Sequence, residues 1–403
     1  MRVRSLRILH AHNYYLQPGG EDTAFAAEAN LLRGRGHEVV EWVEHNDRIA
    51  ATGRLRVAAQ TIWARGAAQQ LSALLRRTRP DVAHFHNTFP LISPAAYYAC
   101  RRAGVAVVQA LDNPRLLCPS ANLFRAGAVC QDCLGRTMPW PAIVHRCYHG
   151  SCLHTAVVAS MLTVHRWMGT WNSKVDVYLV ATDFYRDKFV EGGLPADRIV
   201  VKPHFVDPAP EPRAADEIGD YALFIGRLDP EKGVLALLSA WKTLGDVPLV
   251  VRGSGQLEPE VTQFIRERGC DGQVEIVGRL SREDLTARIK KARFLVWPSE
   301  GYYETFGYVA VESFSCGVPV IASRLGVLAE VVKDGVTGLH FTAGDAHDLA
   351  GKVRWAWEHP AEMAAMGRNA RREYEARYTP EKNYRMLLDA YERAIHSRHA
   401  GGA

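Results

Sequence analysis

Short apolar runs recur along the chain, and each is followed by a polar or glycine-containing loop and then by a stretch of helical periodicity. In the first half, residues 6–11 and 105–111 predict buried strands, and the long stretch 55–77 predicts a helix. In the second half, residues 221–225 and 292–297 predict strands in the same way. Because the strand–helix alternation begins twice, the sequence predicts two α/β units with parallel sheets.

A stretch rich in proline separates the two series. Residues 206–219 contain three prolines and predict a semi-rigid linker. We therefore expect a first domain over 1–205 and a second over 220–378, and 403 residues are enough for both. Residues 379–403 predict a final helix, which we expect to pack back on the first domain.

Composition narrows the class of protein only slightly. Apolar residues make up 47% and charged residues 23%, as in a globular protein with an ample core. The net charge of +5 suits an anionic ligand, and no motif of a nucleic-acid-binding module is present, so we expect no nucleic-acid partner. No apolar run approaches the ~20 residues that span a bilayer. We expect a cytoplasmic protein; a peripheral contact at the inner membrane face and the oligomeric state stay open.

Two glutamates frame the strongest candidate site. Glu304 lies in the loop after the strand predicted at 292–297, and Glu312 lies about two turns into a helix predicted over 306–316. A spacing of eight residues puts both on roughly one face, and the unpaired amides at the helix N-terminus favour an anion. Carboxylates for hydroxyl groups and a positive helix end for phosphate suit a nucleotide sugar. The alternative is a surface loop with two solvated glutamates.

Arg227 and Lys232 flank another loop between a predicted strand and helix. The guanidinium is a fork and the ammonium a compact charge, so together they can grip a diphosphate. Gly253 and Gly278 follow neighbouring strands in the same half. This recurrence indicates one shared ligand edge and weakens the alternative, which is a solvated basic loop.

Strand ends in the first half also carry candidate residues. The adjacent pair Gly19 and Gly20 lets the backbone approach a ligand closely, although a plain turn is an equal alternative. His84, His86 and Asn87 end the strand that begins at residue 81, at the edge where open α/β sheets bind ligands. We assign these three to an acceptor cleft, with packing or capping roles as the alternative.

An irregular insert of about residues 113–154 contains most of the cysteines. Cys130 and Cys133 have the spacing of a metal knuckle, and Cys118 with Cys147 (or Cys152) would complete a tetrahedral site. A bound metal would contribute much to the stability of an insert with so little apolar periodicity. We predict structural zinc, with buried free thiols and a labile disulfide as the alternatives.

Several motifs occur in an order that resembles the retaining glycosyltransferases of family four. The resemblance is strong over residues 220–355 and looser over 1–205. It implies the GT-B fold, in which two Rossmann-like parallel-sheet domains face each other across a cleft. The motifs are Gly226-Arg227-Leu-Asp-Pro-Glu-Lys232-Gly233, Gly253-Ser-Gly255, Gly278-Arg279-Leu-Ser, Pro298-Ser-Glu, Glu304-Thr-Phe-Gly, Cys316-Gly-Val-Pro and Asp334-Gly-Val-Thr-Gly-Leu.

The resemblance implies transfer of a hexose from a nucleotide-sugar donor, with UDP- and GDP-sugars favoured, to a hydroxyl acceptor. The acceptor would be a glycan, a lipid-linked sugar or a glycosylated metabolite, as in polysaccharide biosynthesis. The transfer would retain the anomeric configuration and need no catalytic metal. The acceptor would bind the first domain and the donor the second.

The same resemblance assigns roles to single residues. Arg227 and Lys232 would neutralise the donor diphosphate, and Glu304 would accept hydrogen bonds from sugar hydroxyls. The other donor-binding assignments are the amides of Phe306 and Gly307 near the sugar, Glu312 at the ribose, Arg279 at the base, Gly19 and Gly20 over the phosphates, and Gly253 and Gly278 along the ligand edge.

One position departs from the family pattern. Asp112, which we count among the catalytic residues, stands where the family usually has histidine, and Asn113 beside it is assigned to the acceptor cleft. A carboxylate can accept hydrogen bonds from sugar hydroxyls but repels a departing diphosphate. Two alternatives stay open on the same fold. One is a different enzyme class, a nucleotide-sugar epimerase or a sugar-phosphate phosphorylase, and the other is a non-catalytic nucleotide-sugar binding protein, which Asp112 favours.

Overall fold

The computed structural model describes residues 4–17, 19–267, 272–278 and 280–400. The chain forms two compact units. The N-terminal unit contains Met1–Leu123, Gln131–Pro203 and Asn383–Ala403, and the C-terminal unit contains Phe124–Cys130 and His204–Lys382. Each unit has its own parallel sheet, so the prediction of two α/β units is confirmed.

Strands of the described residues form two six-stranded parallel sheets and one short antiparallel hairpin. In chain order they are β1 Arg7–Tyr14, β2 Glu38–His45, β3 Val82–Phe85, β4 Ala106–Ala110, β5 Phe124–Arg125, β6 Ala128–Val129, β7 Val177–Val180, β8 Ile199–Val201, β9 Ala222–Ile225, β10 Leu249–Arg252, β11 Val274–Val277, β12 Phe294–Trp297, β13 Val320–Ser323 and β14 Gly338–Phe341.

The order of the strands is that of open, doubly wound sheets. In the N-terminal unit it is β2-β1-β3-β4-β7-β8, and in the C-terminal unit it is β11-β10-β9-β12-β13-β14, which is the Rossmann order. Every residue of β3, β4, β7, β9 and β12 is buried. Parallel strands covered on both faces are mostly apolar, which is why short apolar runs identify them in the sequence.

Helices connect the strands. They are α1 Gly20–Gly34, α2 Arg54–Trp63, α3 Arg65–Thr78, α4 Ala95–Arg102, α5 Trp140–Val144, α6 Cys152–Trp167, α7 Thr170–Ser173, α8 Asp183–Glu191, α9 Val234–Trp241, α10 Glu258–Glu267, α11 Arg282–Lys291, α12 Tyr308–Ser315, α13 Val327–Val331, α14 Ala346–Glu358, α15 Pro360–Arg377 and α16 Pro380–Ala400. Among the described residues, no helix combines the length and the hydropathy needed to cross a bilayer.

Two stretches differ from the sequence-based expectation. The long helix expected over 55–77 is divided at Ala64, whose φ of −80° and ψ of 79° are not helical. The insert is not one irregular block either. Its hairpin β5–β6 belongs to the C-terminal unit, whereas α5 and α6 belong to the N-terminal unit.

Helix α16 supplies most of the last segment of the N-terminal unit. Leu387 and Tyr391 on this helix are fully buried. The hydroxyl of Tyr384 lies 2.8 Å from Nε2 of His37, and the Asn383 amide donates to the Pro203 carbonyl oxygen at 2.6 Å. These contacts attach the end of the chain to elements formed by its first half.

Candidate functional site

Lys232 and Glu304 meet in the C-terminal unit, at the edge where β9 and β12 end. Lys232 ends the short turn Pro230–Lys232 after β9, and Glu304 lies in the loop after β12. Because β9 and β12 are neighbouring parallel strands, their following loops share one edge. Nζ of Lys232 lies 2.6 Å from Oε1 of Glu304, and the Ser299 hydroxyl donates to the same oxygen at 2.7 Å.

The electrostatics of this pair keep Glu304 ionised. Burial by itself would raise the pKa of the Glu304 carboxyl, but the charge of Lys232 and the hydrogen bonds from Lys232 and Ser299 outweigh it, so the pKa lies below its usual value. The ammonium of Lys232 also lies 5.2 Å from the centre of the Tyr302 ring. A carboxylate held in this way accepts hydrogen bonds from hydroxyl groups near neutral pH.

Arg227 lies on the same loop, at its surface. Its side chain is 65% exposed and is held by Asp229 at 3.1 Å and Glu231 at 2.9 Å. These two carboxylates keep the guanidinium in place without burying it. A phosphate group can therefore reach it without first entering the core.

Glycines shape the surrounding backbone. A Cβ at Gly253 would lie 1.8 Å from the Gly226 carbonyl oxygen, because the loops after β9 and β10 abut there. Gly307 has a φ of +92°, and a Cβ on it would lie 2.0 Å from the ring of Trp297. Helix α12 starts directly after Gly307, so its first amides lie next to the Glu304 loop.

The remaining predicted donor residues of the C-terminal unit have different surroundings. The Phe306 ring is buried and contacts His204, with ring centres 5.0 Å apart, so only its backbone amide is a candidate contact. Burial raises the pKa of Glu312 on α12, although Arg282 and Arg252 partly offset this.

Gly278 is exposed after β11. Arg279 lies outside the described residues.

The hairpin β5–β6 contacts the loop that carries Glu304, a feature that sequence reasoning missed. A Cβ on Gly301 would lie 2.2 Å from the Gly127 carbonyl oxygen at the hairpin turn, and the rings of Phe124 and Tyr302 lie edge to face at 6.4 Å. No periodicity signals this contact, because the hairpin strands have two residues each.

A second group of polar residues lines a small cavity of about 50 Å³ in the N-terminal unit. Nδ1 of His86 lies 3.0 Å from Oδ2 of Asp112. The amide of Asn113 donates to Oε2 of Glu21 at 3.2 Å, and the Tyr15 hydroxyl donates to the same oxygen at 2.8 Å. The cavity thus has two carboxylates, those of Asp112 and Glu21, which sequence reasoning did not bring together.

Burial and neighbouring charges shift the pKa values of Glu21 and His86 in this group. Burial and then the charge of Asp112 raise the pKa of Glu21 to about 7. Burial by itself would lower the pKa of His86, but its hydrogen bonds to Asp112 and Glu28 outweigh this and raise it to about 9. His86 is therefore an imidazolium between two carboxylates, and Glu21 exchanges its proton near neutral pH.

The other predicted residues of this unit have mainly structural contacts. The Asn87 amide donates to the Asn13 carbonyl oxygen at 2.7 Å, and Asn87 also lines the cavity. The backbone N–H of Gly19 donates to the Asp22 carboxylate at 2.7 Å, just before α1 begins at Gly20. Asn87 thus fixes the loop after β3 while facing the cavity.

A buried network of charged and polar side chains contacts His86 on the side away from the cavity lining. Nζ of Lys202 lies 2.5 Å from Oε1 of Glu28, and Nε2 of His10 lies 3.1 Å from Nε2 of His86. Nδ1 of His84 lies 2.9 Å from the Tyr391 hydroxyl, so His84 belongs to this network and not to the cavity lining.

The side chains of His10, Glu28, His84 and His86 are the one group in the described part of the chain with metal-ligand geometry. Lys202 already supplies the cation that Glu28 needs.

The cysteines predicted to bind zinc are not gathered in this way. Cys118, Cys133 and Cys147 lie in the N-terminal unit, whereas Cys130 lies in the segment that belongs to the C-terminal unit. None of them is part of the metal-ligand group found among the described residues. Sγ of Cys118 lies 3.1 Å from the Ser120 hydroxyl. The geometry therefore gives the zinc prediction no support.

A family model matches part of the second half of the chain. Residues 208–373 match the family model of the glycosyl transferases group 1. The chain is 34% identical over 176 residues to an uncharacterised glycosyltransferase of Methanocaldococcus jannaschii, an alignment that covers 43% of this chain and 49% of that protein. It is 35% identical over 182 residues to a D-inositol 3-phosphate glycosyltransferase of Mycobacterium sp., covering 43% and 39%. The chain thus spans less than half the length of either relative.

Solved structures resemble the whole chain. HepE of Anabaena in complex with UDP superimposes with a TM-score of 0.68 at 17% identity, covering 96% of this chain and 100% of that one. The same protein has also been solved with UDP-glucose. Two Rossmann-like parallel-sheet units with this likeness have the GT-B fold, as the sequence predicts.

Proposed function

We propose that the protein is a glycosyltransferase that moves a hexose from a nucleotide-sugar donor to a hydroxyl acceptor with retention of the anomeric configuration and without a catalytic metal. The observation that carries the proposal is the Lys232–Glu304 pair, 2.6 Å apart, beside the start of α12 in the segment that matches the family. In this proposal the C-terminal unit binds the donor and the N-terminal unit the acceptor.

The donor chemistry follows from where charge develops. Breaking the bond between the anomeric carbon and the phosphate oxygen builds negative charge on the leaving diphosphate, and preorganised donors there lower the barrier most. Arg227, Lys232 and the first amides of α12 are such donors. Glu304 binds the sugar hydroxyls, and Glu312 binds the ribose. The acceptor hydroxyl attacks on the face from which the diphosphate leaves, and the leaving phosphate takes its proton.

A UDP-sugar is the first donor to test, since the Anabaena protein of the same fold was solved with UDP and UDP-glucose. A GDP-sugar is the second. For the acceptor we propose a hydroxyl of a glycan, a lipid-linked sugar or a glycosylated metabolite, held near the cavity lined by Asp112, Glu21 and Asn113. Several hydrogen-bonding groups around one small cavity are typical of a site for a polyhydroxylated ligand.

Calorimetric binding of UDP, GDP, ADP and their sugar conjugates tests the donor assignment. We expect the parent to bind one nucleotide and Arg227→Ala to bind it at least about tenfold more weakly, because one charged contact to phosphate is lost. Arg354→Ala is the matched control, since Arg354 pairs with Asp246 on the surface of the same unit. Equal affinity for all three proteins would remove Arg227 from the site.

Asp112 favours one second candidate, a nucleotide-sugar binding protein without transfer activity, because this carboxylate stands where the family that the sequence resembles usually has histidine and would repel a departing diphosphate. Incubation of the parent and of Asp112→His with the donor that binds and with a panel of acceptors separates the two candidates. A glycoside product from the parent, with the anomeric configuration of the donor by NMR, supports transfer with retention. Product from Asp112→His alone supports the binding protein. A free isomer formed without an acceptor would indicate an epimerase.

A further inference from the structure

We propose that the N-terminal unit binds the surface of an anionic lipid bilayer through the outward side of α6 and the segment 136–144 beside it, together called the α6 face. The proposal does not depend on glycosyl transfer. It starts from exposed apolar side chains that no core or cavity of the described residues uses. Six large apolar residues of the α6 face are exposed: Met138, Trp140, Val144, Leu153, Trp167 and Met168.

The outward stripe of α6 is apolar where a surface helix is normally polar. Leu153, Val157, Val164 and Trp167 follow one another at helical spacing, with only Ser160 interrupting them. Leu153 is 71% exposed and Trp167 is 77% exposed. The opposite side of the helix is buried in the unit. A contiguous exposed apolar stripe of this kind marks an interaction surface.

The segment 136–144 extends the stripe sideways. The Arg166 guanidinium, near the end of α6, donates to the Thr137 carbonyl oxygen at 3.1 Å. The Cys152 thiol, at the start of α6, donates to the Ile143 carbonyl oxygen at 3.4 Å. Because its two ends are tied to opposite ends of the helix, the segment runs antiparallel beside α6. It adds the exposed side chains of Met138, Trp140 and Val144.

Charge selects what the α6 face binds. Residues 133–175 contain no aspartate or glutamate, but they contain three arginines, one lysine and four histidines. Helix α2 packs against α6, where the Ile62 carbonyl oxygen lies 2.9 Å from Nε2 of His165, and it comes from residues 48–80, which also lack carboxylates. Asp132 and Glu191 adjoin the start of the segment at Arg136 and Gly135, and the Glu191 carboxylate pairs with Lys188 at 2.8 Å. Exposed tryptophan and aliphatic side chains among predominantly cationic residues match the headgroup region of an anionic bilayer.

A second copy of the chain fits this surface less well. In a two-fold dimer the same patch faces itself, so arginines of one copy would lie near arginines of the other, with no carboxylates in residues 133–175 to pair with them. Anionic headgroups satisfy these cations, and the acyl region takes the apolar side chains. The bilayer is therefore the occupant that both the charge and the apolar stripe favour.

Flotation of the full chain with vesicles tests the proposal. We expect binding to vesicles of phosphatidylcholine mixed with phosphatidylglycerol and at least about tenfold weaker binding to phosphatidylcholine alone. The double variant Leu153→Glu, Trp167→Glu should lower the partition coefficient on the anionic vesicles at least about tenfold, since both side chains lose their insertion. The variant Arg136→Gln, Arg146→Gln should weaken binding to the anionic vesicles only.

The matched control is Leu235→Glu, Val336→Glu, which changes two exposed apolar residues of the C-terminal unit and should leave flotation at the parent's level. Thermal unfolding of every variant checks that it folds, and the arginine variant keeps the test decisive if the glutamates disturb α6. Absence of parent flotation with anionic vesicles overturns the proposal. So does a glutamate variant that floats like the parent. A concentration-dependent dimer that the glutamate variant abolishes, with no vesicle binding, would identify a second copy as the occupant instead.

Discussion

Lys232 is the single residue on which the proposed donor site depends most. Its ammonium is 2.6 Å from the Glu304 carboxylate and 5.2 Å from the Tyr302 ring centre. It holds the pKa of Glu304 below its usual value against the effect of burial. An incoming diphosphate would therefore meet a cation that is already positioned, so little reorganisation is needed when the sugar–phosphate bond breaks.

We expect Lys232→Ala to lower turnover at least ~100-fold, the scale on which one preorganised charge contact acts. The substitution should also raise the pKa of Glu304, since burial then acts unopposed by the ammonium. Steady-state kinetics with the identified donor measures the first effect. Lys242→Ala is the control, because Lys242 lies over the Phe264 ring in the same unit. Turnover near the parent's in both variants would contradict the assignment.

Titration of Glu21 and His86 predicts how stability depends on pH. The pKa of Glu21 is raised from 4.5 to about 7 and that of His86 from 6.5 to about 9. Each group binds its proton more tightly in the folded state, so each contribution is complete below the unfolded-state pKa and is lost as pH rises through the folded-state pKa. The free energy of unfolding should therefore fall between about pH 4.5 and 7 through Glu21, and between about pH 6.5 and 9 through His86.

Two substitutions separate the pH ranges in which Glu21 and His86 affect the free energy of unfolding. Glu21→Gln should flatten the acid part of the curve and His86→Asn the alkaline part, each by at most about 1.4 kcal/mol per pH unit. Denaturant unfolding at a series of pH values measures the slopes. His347→Asn, at an exposed histidine of the C-terminal unit, should follow the parent throughout. A His86→Asn curve parallel to the parent's above pH 7 would mean that His86 is not the titrating group.

At the scale of elements, the start of α12 depends on a backbone conformation that only glycine adopts without strain. Gly307 has a φ of +92°, and the ring of Trp297 occupies the place of a Cβ. The same residue ends the loop that carries Glu304 and begins the helix whose first amides face that loop. Strain at Gly307 would therefore displace both the carboxylate and the amides.

Gly307→Ala should lower the free energy of unfolding by about 2 kcal/mol or more, because the left-handed conformation and the contact with Trp297 both oppose the methyl group. Nucleotide binding should weaken with it. Gly351→Ala is the matched control: Gly351 is exposed within α14 and has open space at its Cβ position. Gly351→Ala should raise the free energy of unfolding by about 0.5–1 kcal/mol. Denaturant unfolding and calorimetry measure both variants, and equal stability of the two would refute the argument.

Elements were predictable from sequence where burial is complete on both faces. The strands β9 and β12 appear as unbroken apolar runs, so their loops, and with them Lys232 and Glu304, could be expected on one edge. The division of the predicted helix 55–77 at Ala64 could not, because alanine carries no signal for a helix break. The hairpin β5–β6 was missed because it is too short for periodicity and gains its partner only through tertiary contact.

At the scale of the whole molecule, the buried network of the N-terminal unit was the least predictable feature. His10, Glu28 and His84 come from β1, α1 and β3, Lys202 follows β8, and no local spacing relates the four residues. One signal was present in the sequence. His10 and His84 lie on neighbouring strands in direct register, within otherwise apolar runs. Polar residues recurring at the same level of adjacent buried strands indicate a network, but only once the register is known.

The last helix completes this network, so its removal should affect the N-terminal unit selectively. A chain ending at Lys382 lacks the fully buried Leu387 and Tyr391 and leaves Nδ1 of His84 without the Tyr391 hydroxyl. Each buried side chain of this size contributes about 1.5–3 kcal/mol, and the cavity left behind adds to the loss. We expect amides of β1 and β3 to lose most of their hydrogen-exchange protection, while the C-terminal unit keeps its protection and its nucleotide affinity.

Two neighbouring point variants make the comparison sharper. Tyr391→Phe removes only the hydroxyl and should cost about 1 kcal/mol or somewhat more, because Nδ1 of His84 then loses its hydrogen-bond partner. Glu392→Ala changes the exposed residue next to it and should leave exchange unchanged. If β1 and β3 of the shortened chain exchange as slowly as in the full chain, α16 does not stabilise the N-terminal unit. If amides of β9 and β12 lose protection equally, the two units do not unfold separately, and the loss cannot be assigned to the network around His84.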